Sequence, residues 1–268
     1  MKKSSGLLLI ALMALFVFAC SRGADPKGFM KYEMKSVEKA FGDTSLTSKG
    51  YAKVKLTYPY ITESTNFGLT DVLNTYVIDQ IQNAVFREGR YKTPQFLIES
   101  FFAEYAKAAQ NNPTGHPNFW TLERKVDVTY MNTRIVSFMF FETSYLGGAH
   151  PNTNYFFTNY DLVTGAKLQA KDILVDGYET KLLPIAEKEF RKIRNLKPDE
   201  DLKKAGFEFP DNKFHLNNNF GFTTDGIVFF YNAYEIAPYA WGHTNLLIPY
   251  SEVKDLIKAP FYPADGKK

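Results

Sequence analysis

Two long runs of alternating polarity, Thr121–Tyr130 and Thr133–Tyr145, meet at Met131-Asn132. A period of two marks a strand with one buried face, and two such runs joined by a tight turn read as a hairpin. Hairpins make neighbouring strands antiparallel, which sets this chain apart from doubly wound parallel folds. The pattern recurs. Ala52, Val54, Leu56 and Tyr58 alternate with Lys53, Lys55 and Thr57, and Thr153–Leu162 leads through Thr164-Gly165 to a return at Lys167–Ala170. Phe220–Thr223 and Ile227–Tyr231 flank Thr224-Asp225-Gly226, a strong hairpin signal, and Leu246–Pro249 is a last strand.

Helical spacing separates these runs. Leu69, Val72, Leu73, Tyr76, Val77, Ile81, Ala84 and Val85 form one apolar face. Thr93-Pro94 is a helix start, with Thr as cap and Pro at the first position, and Phe96, Leu97, Phe101 and Tyr105 mark the face that follows. Leu182, Leu183, Ile185, Ala186, Phe190 and Ile193 make a second amphipathic stretch, and Ser251 is expected to cap a short helix through Ile257. The expected class is α+β: two small α+β domains with mainly antiparallel sheets packed against helices, dividing near residues 146–152. At 45% hydrophobic and 16% aromatic, the 268 residues can fill such cores, and disorder is excluded.

The N-terminus has its own chemistry. Lys2 and Lys3 precede an apolar stretch, Gly6 to Ala19, whose helix would rise about 21 Å, short of the roughly 30 Å hydrocarbon core of a bilayer. It ends at Val17-Phe18-Ala19-Cys20, and Cys20 is the single cysteine of the chain. This segment resembles the lipobox of bacterial lipoproteins, which implies a signal peptide over residues 1–19 and a lipidated Cys20 as the new N-terminus. Multiple acyl chains suffice for stable membrane anchoring, so the expected address is extracytoplasmic, on the outer membrane if the cell has two. Residues 20–48 read as a tether that can end in an edge strand. The remaining boundaries are 49–145 and 146–260 for the two domains and 261–268 for a tail.

Much chemistry is excluded. A net charge of +3 without a dense basic stripe does not fit nucleic acid. There is no G-x-S-x-G elbow, P-loop or dinucleotide glycine pattern. His116, His150, His215 and His243 lie far apart with no H-x-x-x-H spacing, so neither a metal site nor a cofactor is expected. No catalytic residue is singled out. A cell-wall hydrolase or deacetylase built on carboxylates gathered by the fold is the alternative to a non-catalytic binding protein.

Two segments stand out. Tyr145-Leu146-Gly147-Gly148-Ala149-His150-Pro151-Asn152 interrupts two strand patterns, and His150 and Asn152 serve either a shaped turn or a recognition loop. Asn232 to His243 carries Tyr234, Tyr239 and Trp241 around Glu235. Such rings stack on sugars, anchor protein interfaces, or simply pack between sheet and loop with Glu235 bonded to nearby backbone.

Gly147-Gly148-Ala149-His150-Pro151-Asn152, Tyr160-Asp161-Leu162-Val163-Thr164-Gly165 and a terminal block through Phe222-Thr223, Gly226-Ile227-Val228-Phe229, Tyr234-Glu235-Ile236-Ala237-Pro238-Tyr239 and Ile248-Pro249-Tyr250 carry a resemblance. In that order they are similar to the RsiV-like/PdaC-like extracytoplasmic family, shared by an anti-sigma factor and a peptidoglycan deacetylase. The resemblance implies a PdaC-like domain over about 50–145 and an RsiV-like domain over about 150–257. It also implies an outward-facing envelope module whose partner is a lysozyme-like muramidase or peptidoglycan. A sigma-binding segment and a deacetylase domain with its metal motif are not found in this sequence, so only the recognition role carries over. The expected ligand-binding residues are His150, Asn152, Tyr234, Glu235, Tyr239 and Trp241.

Overall fold

A computed structural model describes residues 27–42, 44, 50–83, 91–111 and 119–262. Cys20 and the signal-like segment lie outside the described residues, as do residues 21–26, 43 and 45–49 of the link that follows.

Six strands form one sheet in sequential order: β1 (Met30–Gly42), β2 (Tyr51–Ser64), β3 (Phe119–Met131), β4 (Ile135–Tyr145), β5 (Asn152–Asp161) and β6 (Lys167–Leu168). Every neighbouring pair is antiparallel except β2 with β3. That parallel pair requires a crossover, supplied by α1 (Phe67–Gln82) and α2 (Pro94–Asn111). Thr93 caps α2 as its sequence implied, its Oγ1 accepting from the Phe96 N–H at 3.1 Å. Asn66 does the same for α1, its Oδ1 accepting from the Leu69 N–H at 2.9 Å.

The helices cover one face of the sheet. Ala52, Val54 and Leu56 of β2 and Val136, Phe138 and Phe140 of β4 meet Leu69, Leu73, Val77 and Ile81 of α1 and Leu97 and Phe101 of α2. A buried ion pair joins this layer, with Arg124 Nε 2.7 Å from Glu142 Oε2 and Arg124 Nη1 donating to the Ile81 carbonyl at the end of α1.

A second sheet, β7 (Phe220–Phe222), β8 (Gly226–Tyr231) and β9 (Thr244–Pro249), is wholly antiparallel. After the short α3 (Ala170–Ile173) comes α4 (Glu179–Ile193), whose Leu182, Ala186 and Phe190 pack with Ile227, Phe229, Leu246 and Ile248 of this sheet. The expected α+β class, with mainly antiparallel sheets against helices, is the observed one.

Other details differ. The turn expected to divide two domains lies between β4 and β5, which are hydrogen-bonded neighbours along their whole length, so the first sheet runs across it. The edge strand expected at the end of the tether is the 13-residue β1, which takes up much of the stretch read as tether. Ser251 does not cap the last helix. That helix, α5 (Tyr250–Val253), starts two residues earlier, capped at Pro249 with no side-chain hydrogen bond. Phe261, placed at the head of a tail, is buried under the Arg134 guanidinium, 5.5 Å from its ring centre. Among the described residues no helix is long and apolar enough to cross a membrane.

Candidate functional site

Both segments singled out in the sequence lie at one place, where the start of β5 meets the second sheet. The outer edge of β5 has a strand partner only at Asn159 and Tyr160, which pair with β6. Over Thr153–Phe157 side chains take that role, because buried backbone groups must find partners. Asn232 Oδ1 accepts from the Tyr155 N–H at 2.7 Å, and its Nδ2 donates to the Tyr155 carbonyl at 3.0 Å. A side-chain amide here does what a neighbouring peptide would do. Asn219 repeats the device, accepting from the Phe157 N–H at 2.8 Å and donating to the carbonyls of Tyr155 at 2.8 Å and Phe230 at 3.0 Å.

The seam continues inward. Ser137 Oγ hydrogen-bonds Asn159 Oδ1 and accepts from the Phe222 N–H at 3.0 Å. Gly221 lets β7 come this close, since a Cβ there would lie 2.2 Å from Phe157 Cδ1. Burial pushes the Tyr155 and Tyr231 phenols above their ordinary range, and Tyr231 donates its hydroxyl proton to the His215 carbonyl at 2.7 Å.

On this seam stands a row of rings. His150 stacks on Tyr239 with centroids 3.8 Å apart and planes 19° from parallel, and Tyr239 lies 5.5 Å from Tyr234. The Pro151 carbonyl holds the first two rings, receiving the Tyr239 hydroxyl at 3.1 Å and His150 Nδ1 at 3.0 Å. A carbonyl only accepts, so Nδ1 carries the proton in this contact. His243 Nε2 likewise donates to the Thr153 carbonyl at 3.1 Å.

Tyr234 is 65% exposed and has φ +68°, a left-handed backbone that costs a bulky residue on the order of 1–3 kcal/mol. Glu235 secures the turn, Oε2 accepting from the Asn232 N–H at 2.8 Å and Oε1 from Asn217 Nδ2 at 2.6 Å. Its carboxylate therefore shapes the loop. Trp241 stands apart from the row, 44% exposed, edge-on to Phe207 at 5.1 Å and over Gly206. Asn152 opens β5 opposite Ser144 with an exposed side chain.

Arg194, just past α4, fastens this end of the loop. Its guanidinium donates to the carbonyls of Trp241 at 3.2 Å and His243 at 3.0 Å and to Thr244 Oγ1, and lies 5.6 Å from the Phe207 ring centre. Burial lowers its pKa. Sequence reasoning missed Arg194, Asn219 and Asn232 as organisers, and the run Asn217-Asn218-Asn219 was the one visible signal. Among the described residues no group of three or more His, Cys, Asp or Glu is placed to hold a metal. A cleft of about 410 Å³ lies further along β5, lined by residues that include Lys167, Tyr178 and Asn218.

Residues 46–153 match the family model described as Deacetylase PdaC, and residues 171–251 match DUF3298, a family of unknown function. The matches support a PdaC-like family. A curated relative, the peptidoglycan-N-acetylmuramic acid deacetylase PdaC of Bacillus subtilis (strain 168), is 29% identical over 136 residues. That stretch is 50% of this chain and 28% of the relative, so the likeness spans less than a third of that enzyme. Among solved structures, a DUF3298 family member from Bacteroides fragilis aligns with TM-score 0.68 at 23% identity, covering 88% of this chain and 96% of that one. A DUF3298 family protein from Pseudomonas aeruginosa PAO1 gives 0.61 at 19%, covering 87% and 98%. Both share the fold over nearly the whole described chain.

Proposed function

We propose that this protein is a non-catalytic module of the cell envelope, held by lipid on Cys20, that binds the glycan of peptidoglycan through the His150–Tyr239–Tyr234 row. The observation that carries this reading is the row itself: His150 stacked on Tyr239, both held by the Pro151 carbonyl, with Tyr234 tilted beside them and exposed on a strained backbone. Rings fixed in this way offer flat apolar area at low entropic cost, and their polar tips can meet sugar hydroxyls. His150 supplies an imidazole edge and Tyr234 a phenol. Trp241, apart from the row, is a second exposed ring on the same loop. The PdaC match over residues 46–153, which includes the His150 loop, favours a cell-wall ligand, given the name of the Bacillus relative.

Co-sedimentation of the purified chain with peptidoglycan sacculi tests the reading. The wild type is expected to pellet, and the Tyr234→Ala/Tyr239→Ala variant to stay in the supernatant. Equal retention of both contradicts it. A lysozyme-like protein is the rival ligand, and calorimetry separates the two. Heat with lysozyme that vanishes in the same variant would transfer the site from glycan to protein.

A further inference from the structure

The opposite edge of the main sheet has no cover among the described residues. β1 is a 13-residue outer strand with nearly every side chain exposed, Tyr32, Met34 and Phe41 among them. An edge of this length presents a row of backbone donors and acceptors to any strand that can pair with it.

We propose that this edge pairs with β1 of a second copy of the chain, antiparallel and centred on Ser36, joining two six-stranded sheets into one. The charge pattern selects this occupant and this register. A twofold axis normal to a sheet returns each residue to its own face, so a symmetric antiparallel pair must be centred on a residue facing its own copy. Centred on Ser36, the strand overlaps its full length, and Glu33 stands opposite Lys39 in both halves. Lys35 faces Val37, Met34 faces Glu38 and Tyr32 faces Ala40, so no like charges meet. The regular stretch from Tyr32 to Ala40 is used, clear of the bulge between Lys31 and Tyr32.

Neighbouring registers are penalised. Centring on Lys35 sets that lysine against itself and Lys31 against Lys39. Centring on Val37 sets Lys35 against Lys39 twice, and centring on Glu38 sets that carboxylate against itself. Like charges directly opposite are destabilising in a sheet. Centring on Met34 opposes no like charges but shortens the overlap to Met30–Glu38 and takes in the bulge at Lys31/Tyr32, so the full-length alignment on Ser36 is preferred.

The test is disulfide trapping in the full chain on a Cys20→Ser background, where an introduced thiol is the only one. Ser36→Cys is expected to form a covalent dimer under mild oxidation, because facing Cα atoms in an antiparallel pair lie about 4.5–5.5 Å apart. Met34→Cys should not, since position 34 and its copy would be offset by roughly 13 Å. In sedimentation, Glu33→Lys is expected to shift the dimer towards monomer, and Glu33→Lys/Lys39→Glu to restore it. A Cys20→Ser chain that stays monomeric, equal trapping at positions 34 and 36, or a dimer indifferent to Glu33→Lys would overturn the proposal.

Discussion

The two edges of the six-stranded sheet are handled in opposite ways. Along β5 the exposed backbone is satisfied by side chains from the second sheet, with Asn232, Asn219 and His243 meeting it between Thr153 and Phe157. Along β1 the outer side is bare among the described residues, and what the strand carries is charge. A side-chain cover is specific and rigid, so it can carry a loop on a fixed footing. A charged, open edge tolerates change and waits for a strand. The ring row is mounted on the first kind of edge, so its footing is set by Asn232, Asn219 and His243 rather than by the rings themselves.

The contrast can be broken by substitution. The largest effect is expected from Asn219→Leu, which keeps bulk but strands the Phe157 N–H beside a buried seam. A loss of about 3 kcal/mol in urea unfolding is expected, and a loss under about 0.5 kcal/mol would mean water replaces the amide. Gly221→Ala comes next, at about 2 kcal/mol, because the added methyl must displace Phe157. Tyr234→Gly should leave stability unchanged or raise it by up to about 1 kcal/mol, since relief of the left-handed backbone offsets the lost contact with Tyr239. On the other edge, Lys35→Thr should move stability by less than about 0.5 kcal/mol, as exposed positions usually do. A cost at Lys35 matching that at Asn219 would erase the distinction between the edges.

What could be read from the sequence follows the same division. The β3–β4 hairpin, the Thr93 cap and the α4 face were legible because each is local and one-sided: alternation or helical spacing records a single buried face. β1 was legible only as an edge strand ending a tether, without bounds, since a strand exposed on both faces has no alternation and its order comes from β2. Continuity of the sheet from β4 to β5 was hidden because Gly147, Gly148 and Pro151 read as a break, while the pairing that bridges them is decided by strand ends. The asparagines were obscured for a related reason. By itself Asn signals a turn, whereas Asn219 and Asn232 bond to backbone 62 and 77 residues away in sequence. The two loops were legible as unusual, and Tyr234 and Tyr239 as exposable rings. Their contact with His150, and the diversion of Glu235 into holding the turn, required the tertiary structure.

Tyr234 is where fold and proposed use separate most cleanly, because its ring is 65% exposed on a left-handed backbone. The decisive measurement is sacculus co-sedimentation of Tyr234→Gly beside its urea midpoint. Recognition through the ring row requires that binding fall to background while the midpoint holds or rises. Undiminished binding by a stable Tyr234→Gly protein would contradict it.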